Sequence, residues 1–193
     1  IEENGMSDMV GGVWFAGRSF LGLSKLLLGT DDYDEILELA SKGKRNSVDT
    51  EVKDVIANDP NSPYGQFPPN LPIFSFGKVI DTDKKLSDLS REDLANSLVF
   101  SFAYNAFSQL ALVAQTSKVS KLYMGGNFFR HELIRSEIVK TMRLFTGDAI
   151  AVNFVKTGHT GAIGAMISKP EDELKYLAFM QQAEQQPTQG ASS

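Results

Sequence analysis

Three glycine-rich stretches are where this backbone could meet a charged ligand. The first is Gly11-Gly12-Val13-Trp14-Phe15-Ala16-Gly17-Arg18-Ser19-Phe20-Leu21-Gly22-Leu23. Glycines let a chain turn tightly, and a helix N-terminus offers unpaired N–H groups to an anion. An apolar helical run begins at Phe20, so the order suits a phosphate loop with Gly12, Gly17 and Ser19 as contacts. Yet Trp14, Phe15 and Arg18 sit where such a loop needs small residues, and neither a P-loop lysine nor a spaced G-x-G-x-x-G is present. Pattern alone favours the alternative, a strand-to-helix turn whose glycines allow tight packing.

The second stretch is Met124-Gly125-Gly126-Asn127-Phe128-Phe129-Arg130. In α/β sheets ligands bind beyond the carboxyl ends of strands. Gly125 and Gly126 would let an adenine or ribose approach, with Asn127 and Arg130 as polar contacts. Equally, Asn127 could cap a helix and Arg130 be solvated. The third stretch, Thr157 to Gly164, offers Gly158 and Gly161 to a cofactor-facing turn, against a preferred reading of close helix packing by small residues. His131 and His159 are the only histidines and there is no cysteine, so disulfides, thiolate nucleophiles and multi-histidine metal sites are excluded. No Ser-His-Asp grouping is evident. Asp31-Asp32 and Glu171-Asp172-Glu173 read as helix-start charges. No catalytic residue and no metal ligand is assigned.

The elements around these stretches alternate. Asn4-Gly5 is a hairpin-type turn and residues 6–15 read as the return strand. A helix follows over 20–28, with Ser19 as N-cap and Gly29 as stop. Asp31 or Asp32 caps the next helix, whose face is Tyr33, Ile36, Leu37 and Ala40, and which Gly43 ends. A short helix is expected over 49–57. Residues 58–72 hold five of the seven prolines and read as loop; the type of segment 73–79 stays open. Ser90-Arg91-Glu92-Asp93 opens the longest helix, to about Ser117, apolar nearly all round. Strands are expected at 121–124 and 149–155, with a helix over 131–144 between them. A helix through Ile167 stops at Pro170, and after a small helix at 171–182 the tail from Gln185 has a disordered composition. The class is α/β, with one domain over 1–169 and a terminal helix and tail over 170–193.

The composition is that of an ordinary globular protein, 42% hydrophobic and 22% charged over 193 residues. A net charge of −5 argues against non-specific binding to nucleic acid or an anionic membrane. No run of about 18 apolar residues suggests membrane insertion. The start, Ile1-Glu2-Glu3-Asn4-Gly5, is expected to continue a longer polypeptide.

Taken together the motifs resemble the C-terminal half of the type II (eukaryotic-type) pantothenate kinases, from about Val10 to Ser168. Ser19-Phe20-Leu21-Gly22-Leu23 is similar to the family's T-F-L-G-L, and Leu26-Leu27-Leu28-Gly29 to its L-L-T-G. Ala40-Ser41-Lys42-Gly43 with Val48-Asp49 resembles A-S-K-G-D…V-D, and Ser75-Phe76-Gly77 matches S-F-G. Ser90-Arg91-Glu92-Asp93-Leu94-Ala95 resembles S-K-E-D-L-A, Gly126-Asn127-Phe128-Phe129-Arg130 resembles G-N-F-L-R, and Gly158 with Gly161-Ala162-Ile163-Gly164-Ala165 resembles G-Y-F-G-A-V-G-A. Common order and spacing make the set specific.

The resemblance implies the C-terminal RNase-H-like lobe of the actin-like (acetate and sugar kinase/chaperone/actin) fold, with two lobes closing on ATP. It implies Mg-ATP and pantothenate as substrates, acyl-CoA as regulator, and a cytoplasmic or mitochondrial location. A homodimer, a heterodimer with a paralogous kinase subunit, or a larger complex is also implied, with the helix over 90–117 as the dimer surface. The departures concern the ligand side. The family's catalytic acidic base and first phosphate loop belong to an N-terminal lobe. Its G-T-S-L-G-G-G-T is here Gly12 through Ser19 with Trp14, Phe15 and Arg18. Met9 replaces an arginine, Phe107 a glycine, and Thr157 an acidic residue. The expected function is a catalytically degenerate or incomplete lobe serving as a subunit. The alternatives are an active kinase completed elsewhere and another actin-fold kinase.

Overall fold

The structure, a computed structural model, describes residues 11–155 apart from 82 and 84. The candidates Gly158 and Gly161, the departures Met9 and Thr157, and the terminal segment 170–193 lie outside the described residues.

The longest helix organises this unit. Ser90 accepts a hydrogen bond from the Asp93 N–H at 3.2 Å and so starts α4, Arg91–Thr116. Two acidic residues in its first turn suit the positive end of the helix dipole. Leu94, Leu98 and Phe102 recur along one buried stripe, while Val99 and Ala103 bury the flank. Helix α1 (Gly17–Leu28), α2 (Tyr33–Lys42) and α5 (Glu132–Thr146) all pack against α4. Their inward side chains, Phe20, Ile36, Leu37, Ile134, Ile138 and Met142, are almost fully buried. Each contributes about 1.5–3 kcal/mol by leaving water. By length and composition α4 could cross a bilayer; here it is the element on which three helices rest.

Polar side chains of α4 also fix the helix ends. Arg91 donates to the Leu28 carbonyl at 3.0 Å and Asn96 to the Ala40 carbonyl at 2.7 Å. These bonds satisfy carbonyls left over at the ends of α1 and α2. Asp32 starts α2 by accepting from the Asp34 and Glu35 N–H groups. Gly29 ends α1 at φ 75°, a conformation that disfavours a side chain.

Strand β1 (Thr50–Glu51) pairs antiparallel with β2 (Pro72–Phe74), and α3 (Val52–Asn58) follows β1. Strand β3 (Lys121–Met124) pairs in parallel with β4 (Ala151–Phe154), Lys121 facing Ala151 and Met124 facing Phe154. Helix α5 connects them, making a βαβ unit. The class is mixed α/β, rich in helix, with two small sheets among the described residues.

Four expectations are corrected. Residues 11–15 form no strand; Trp14 points outward and Phe15 stacks on Phe102 instead of alternating across a sheet. Helix α1 begins at Gly17, because the Phe20 N–H already bonds the Ala16 carbonyl at 2.9 Å, so Ser19 lies inside the first turn and caps nothing. Helix α3 begins at Val52, because Thr50 and Glu51 pair with β2 and Asp49 turns into the core. Asn127 does not cap α5: it begins a short 3-10 turn, Asn127–Arg130, and His131 caps α5 by accepting from the Leu133 N–H at 3.2 Å.

Candidate functional site

The start of α1 and the turn after β3 come together. Gly17, Arg18, Phe20, Leu21, Tyr33, Asn127, Phe128 and Arg130 line one pocket of about 300 Å³. Of the residues expected to bind a ligand, the structure gathers Gly17, Asn127 and Arg130 here. Ser19 is half-buried nearby but is not part of the lining. Gly125 and Gly126 lie just before the pocket without lining it. Gly126 has φ 130°, which a side chain rarely adopts, so the backbone itself explains this glycine. Gly12 lines a different, apolar pocket of about 260 Å³ with Val13, Ala106, Leu110 and Val113.

The chemistry of the pocket follows from how its walls are held. Phe20 meets Phe102, Phe128 and Tyr33 edge-on at 5.2–6.4 Å, fixing an apolar floor. Tyr33 donates its hydroxyl to the Phe128 carbonyl at 2.5 Å. Burial pushes the Tyr33 phenol up to about 12, against the opposing pull of Arg130, so it remains a neutral donor. Arg130 lies over the Tyr33 ring, 4.7 Å from its centre. One of its guanidinium nitrogens is 2.9 Å from both carboxylate oxygens of Asp34. The cation expected to meet a ligand is therefore held by an internal carboxylate. Arg18, at the other wall, makes no ion pair among the described residues.

Sequence reasoning missed Tyr33 as a wall residue, taking it only as a core position of α2. It also missed Asp34 as the partner of Arg130. The one available signal was the acidic first turn of α2. Phe107, where the resembled family has glycine, is buried and meets Phe129 edge-on at 6.0 Å. Among the described residues no group of three His, Cys, Asp or Glu side chains converges.

The comparisons agree in one direction. The family described as Fumble matches residues 1–168. The chain is 33% identical to pantothenate kinase 1 of Oryza sativa subsp. japonica over 170 residues, 87% of this chain and 25% of that protein. It is 32% identical to 4'-phosphopantetheine phosphatase of Mus musculus over 176 residues, 90% of this chain and 21% of that protein. It is 28% identical to pantothenate kinase of Schizosaccharomyces pombe over 182 residues, 94% of this chain and 42% of that protein. The matched region spans from about a fifth to less than half of these relatives.

Proposed function

The chain belongs to the Fumble family of pantothenate-kinase-related proteins, and from that premise we propose that it is a catalytically degenerate lobe acting as a subunit in coenzyme A biosynthesis. The observation that carries this reading is the closure of Arg130 onto Asp34 at 2.9 Å. A phosphate-binding wall needs free donors aimed at the ligand. Here one cation is neutralised, and the loop before α1 carries Trp14 and Phe15 in place of small residues. That a region like this one recurs in a protein named for a phosphatase supports a role of the lobe apart from kinase chemistry.

The residues present suit a nucleoside better than its triphosphate. Phe128 and Tyr33, packed on the buried Phe20, offer an apolar surface of ring size, whereas Arg18 is the wall's one cation without a protein partner among the described residues. Asp34, the carboxylate against this wall, is taken up by Arg130. The donor set therefore does not fit Mg-ATP, and no phosphoryl-transfer step is derived from it. Acyl-CoA regulation finds no support in this pocket. As fold, we infer the C-terminal RNase-H-like lobe of the actin-like group, which the β3-α5-β4 unit favours. As partner, we infer a second copy, a paralogous kinase subunit or a larger complex, joined along the outer side of α4, where Leu112 is exposed. The location inferred is cytoplasmic or mitochondrial.

A coupled assay on the full-length protein tests the main reading. Pantothenate-dependent ADP formation on the order of 1 s⁻¹ or faster would overturn it. The second reading, an active kinase whose base and first phosphate loop lie elsewhere, is favoured by the meeting of Gly17, Asn127 and Arg130 in one pocket. It requires that same assay to show turnover.

A further inference from the structure

Another cleft opens at the far end of α2, about 15 Å along the helix from Tyr33. Its volume is about 420 Å³, and Lys44, Arg45, Glu51, Lys53, Asn70 and Asn96 line it. It shares no residue with the pocket described above, and nothing about it depends on the proposed function. In a chain of net charge −5, this cleft gathers three cations against one carboxylate. That local reversal of sign needs a reason.

The geometry of Arg45 supplies one. Its guanidinium lies over the Phe100 ring at 4.2 Å and donates to Asn96 Oδ1 at 3.3 Å. Asn96 is itself anchored, donating to the Ala40 carbonyl at 2.7 Å. Glu137 stands 3.9 Å from Arg45, but Lys140 holds it more closely, at 2.7 Å. Arg45 is thus fixed in plane by stacking and one hydrogen bond, with donors to spare and no tight carboxylate partner. A stacked, preoriented guanidinium binds oxyanions well because little side-chain entropy remains to be lost. Beside it the Lys44 backbone N–H donates to Asp93 at 2.7 Å, which fixes the main chain, while the Lys44 ammonium makes no ion pair among the described residues. Also in the lining, Lys53 is 2.5 Å from Glu51 and 3.4 Å from Asn70 Oδ1, and the Asn70 amide nitrogen has no acceptor among the described residues.

From these positions we infer that the cleft is an anion site for a phosphate monoester, the dianionic phosphate held by Arg45 and Lys44. The net +2 of the lining matches a dianion, where a carboxylate carries one charge. The volume exceeds what a bare phosphate fills, and the Asn70 amide presents a donor to polar groups on the ester's alcohol side. With Glu51 taken up by Lys53, the two remaining cations, Arg45 and Lys44, match a dianion and fall short of the charge on a nucleoside triphosphate, which selects against it.

Glycerol 3-phosphate, inorganic phosphate and ATP, each titrated into the whole chain and followed by calorimetry and amide NMR, test this. The expected result is saturable binding of the ester, tighter than inorganic phosphate or ATP, with shifts at residues 43–46 and at the Asn70 side-chain amide. Lys44→Gln and Arg45→Gln should each weaken it by about tenfold, the worth of one charge-assisted bond. Lys25→Gln, whose ammonium pairs with Asp31 elsewhere, should leave it unchanged. Lys44 is exposed, so its variant remains informative if Arg45→Gln disturbs the packing on Phe100. Absence of saturable binding, or binding that survives Lys44→Gln, overturns the site. Inorganic phosphate or ATP binding as tightly as the ester overturns the assignment to a monoester.

Discussion

Arg130 places one guanidinium nitrogen 2.9 Å from both carboxylate oxygens of Asp34, a residue 96 positions earlier in the chain. The pair joins the turn after β3 to the first turn of α2 and closes one wall of the pocket. Both side chains are substantially exposed, so the pair adds little stability, about 1 kcal/mol with its stacking on Tyr33. Its larger effect is to occupy the cation. Asp34→Ala should leave the melting temperature within about 4 °C. It should also raise ATP affinity at the pocket by about tenfold, because a charge-assisted donor is released. Calorimetric titration of both proteins with ATP checks this. Equal affinities would mean that Arg130 never faced the ligand.

Asp49 makes the opposite kind of contact, fully buried and structural. Its Oδ1 accepts from the Ser97 hydroxyl and, at 2.9 Å, from the Phe76 N–H, while Oδ2 has no hydrogen-bond partner. Phe76 sits at φ 60°, a conformation costly for a bulky residue. Burial pushes the Asp49 carboxyl above its ordinary range, and the bonds from Ser97 and Phe76 only partly offset this. An acid whose folded pKa exceeds its unfolded value binds its proton more tightly in the native state. Native stability therefore falls as pH rises from the ordinary carboxylate value, about 3.9, through the raised one. Asp49→Asn should abolish that slope, so the variant gains on the native protein as pH rises across the interval. Asp49→Ala should cost roughly 2 kcal/mol at neutral pH by stranding two donors. Urea unfolding at a series of pH values would reveal either a retained slope or its loss.

Two glycines divide packing from ligand approach. A Cβ on Gly43 would lie 1.9 Å from the Glu92 carbonyl oxygen, which belongs to backbone and cannot swing aside. Gly43→Ala should therefore destabilise by about 3 kcal/mol or more, since α2 and α4 must separate. A Cβ on Gly17 would meet nothing within 4 Å. Gly17→Ala, in a helix, should stabilise by about 0.5–1 kcal/mol. Thermal denaturation that ranks the two variants otherwise would show that Gly17, not Gly43, is the packing glycine.

What could be read from sequence was what neighbouring residues decide. Ser90, Asp32, Gly29 and Gly43 were legible as helix ends because a cap acts within a few residues of itself. Strands β3 and β4 were legible as short apolar runs between glycine turns. The start of α1 was misread because Ser19 is a good cap by type, yet the Ala16 carbonyl closes the turn first. The site was half legible. Gly17, Asn127 and Arg130 were singled out by their motifs and meet at one pocket, but Tyr33 and Asp34 reach them only through tertiary packing. The second cleft was not legible, since Arg45, Glu51, Asn70 and Asn96 come from four separate segments with no local pattern among them.

Trp14 and Phe15 are adjacent aromatics with opposite roles. Trp14 is 95% exposed, whereas Phe15 stacks on Phe102 with ring centres 4.2 Å apart. Phe15→Ala should cost about 1 kcal/mol through the lost stack. Trp14→Ala should change stability by less than about 0.5 kcal/mol, because an exposed side chain gives up no buried contact. An aromatic that contributes nothing to the chain's own stability gains a purpose if a partner covers it. Trp14 is the sole tryptophan, so its fluorescence reports on this loop alone. At low protein concentration the emission should be that of a water-exposed indole, readily quenched by acrylamide. On assembly along α4 and this loop it should shift to the blue and resist quenching. Trp14→Ala should then weaken assembly while leaving the melting curve of the dilute protein unchanged. An emission spectrum that stays red and quenchable while sedimentation shows a dimer would place the interface away from Trp14.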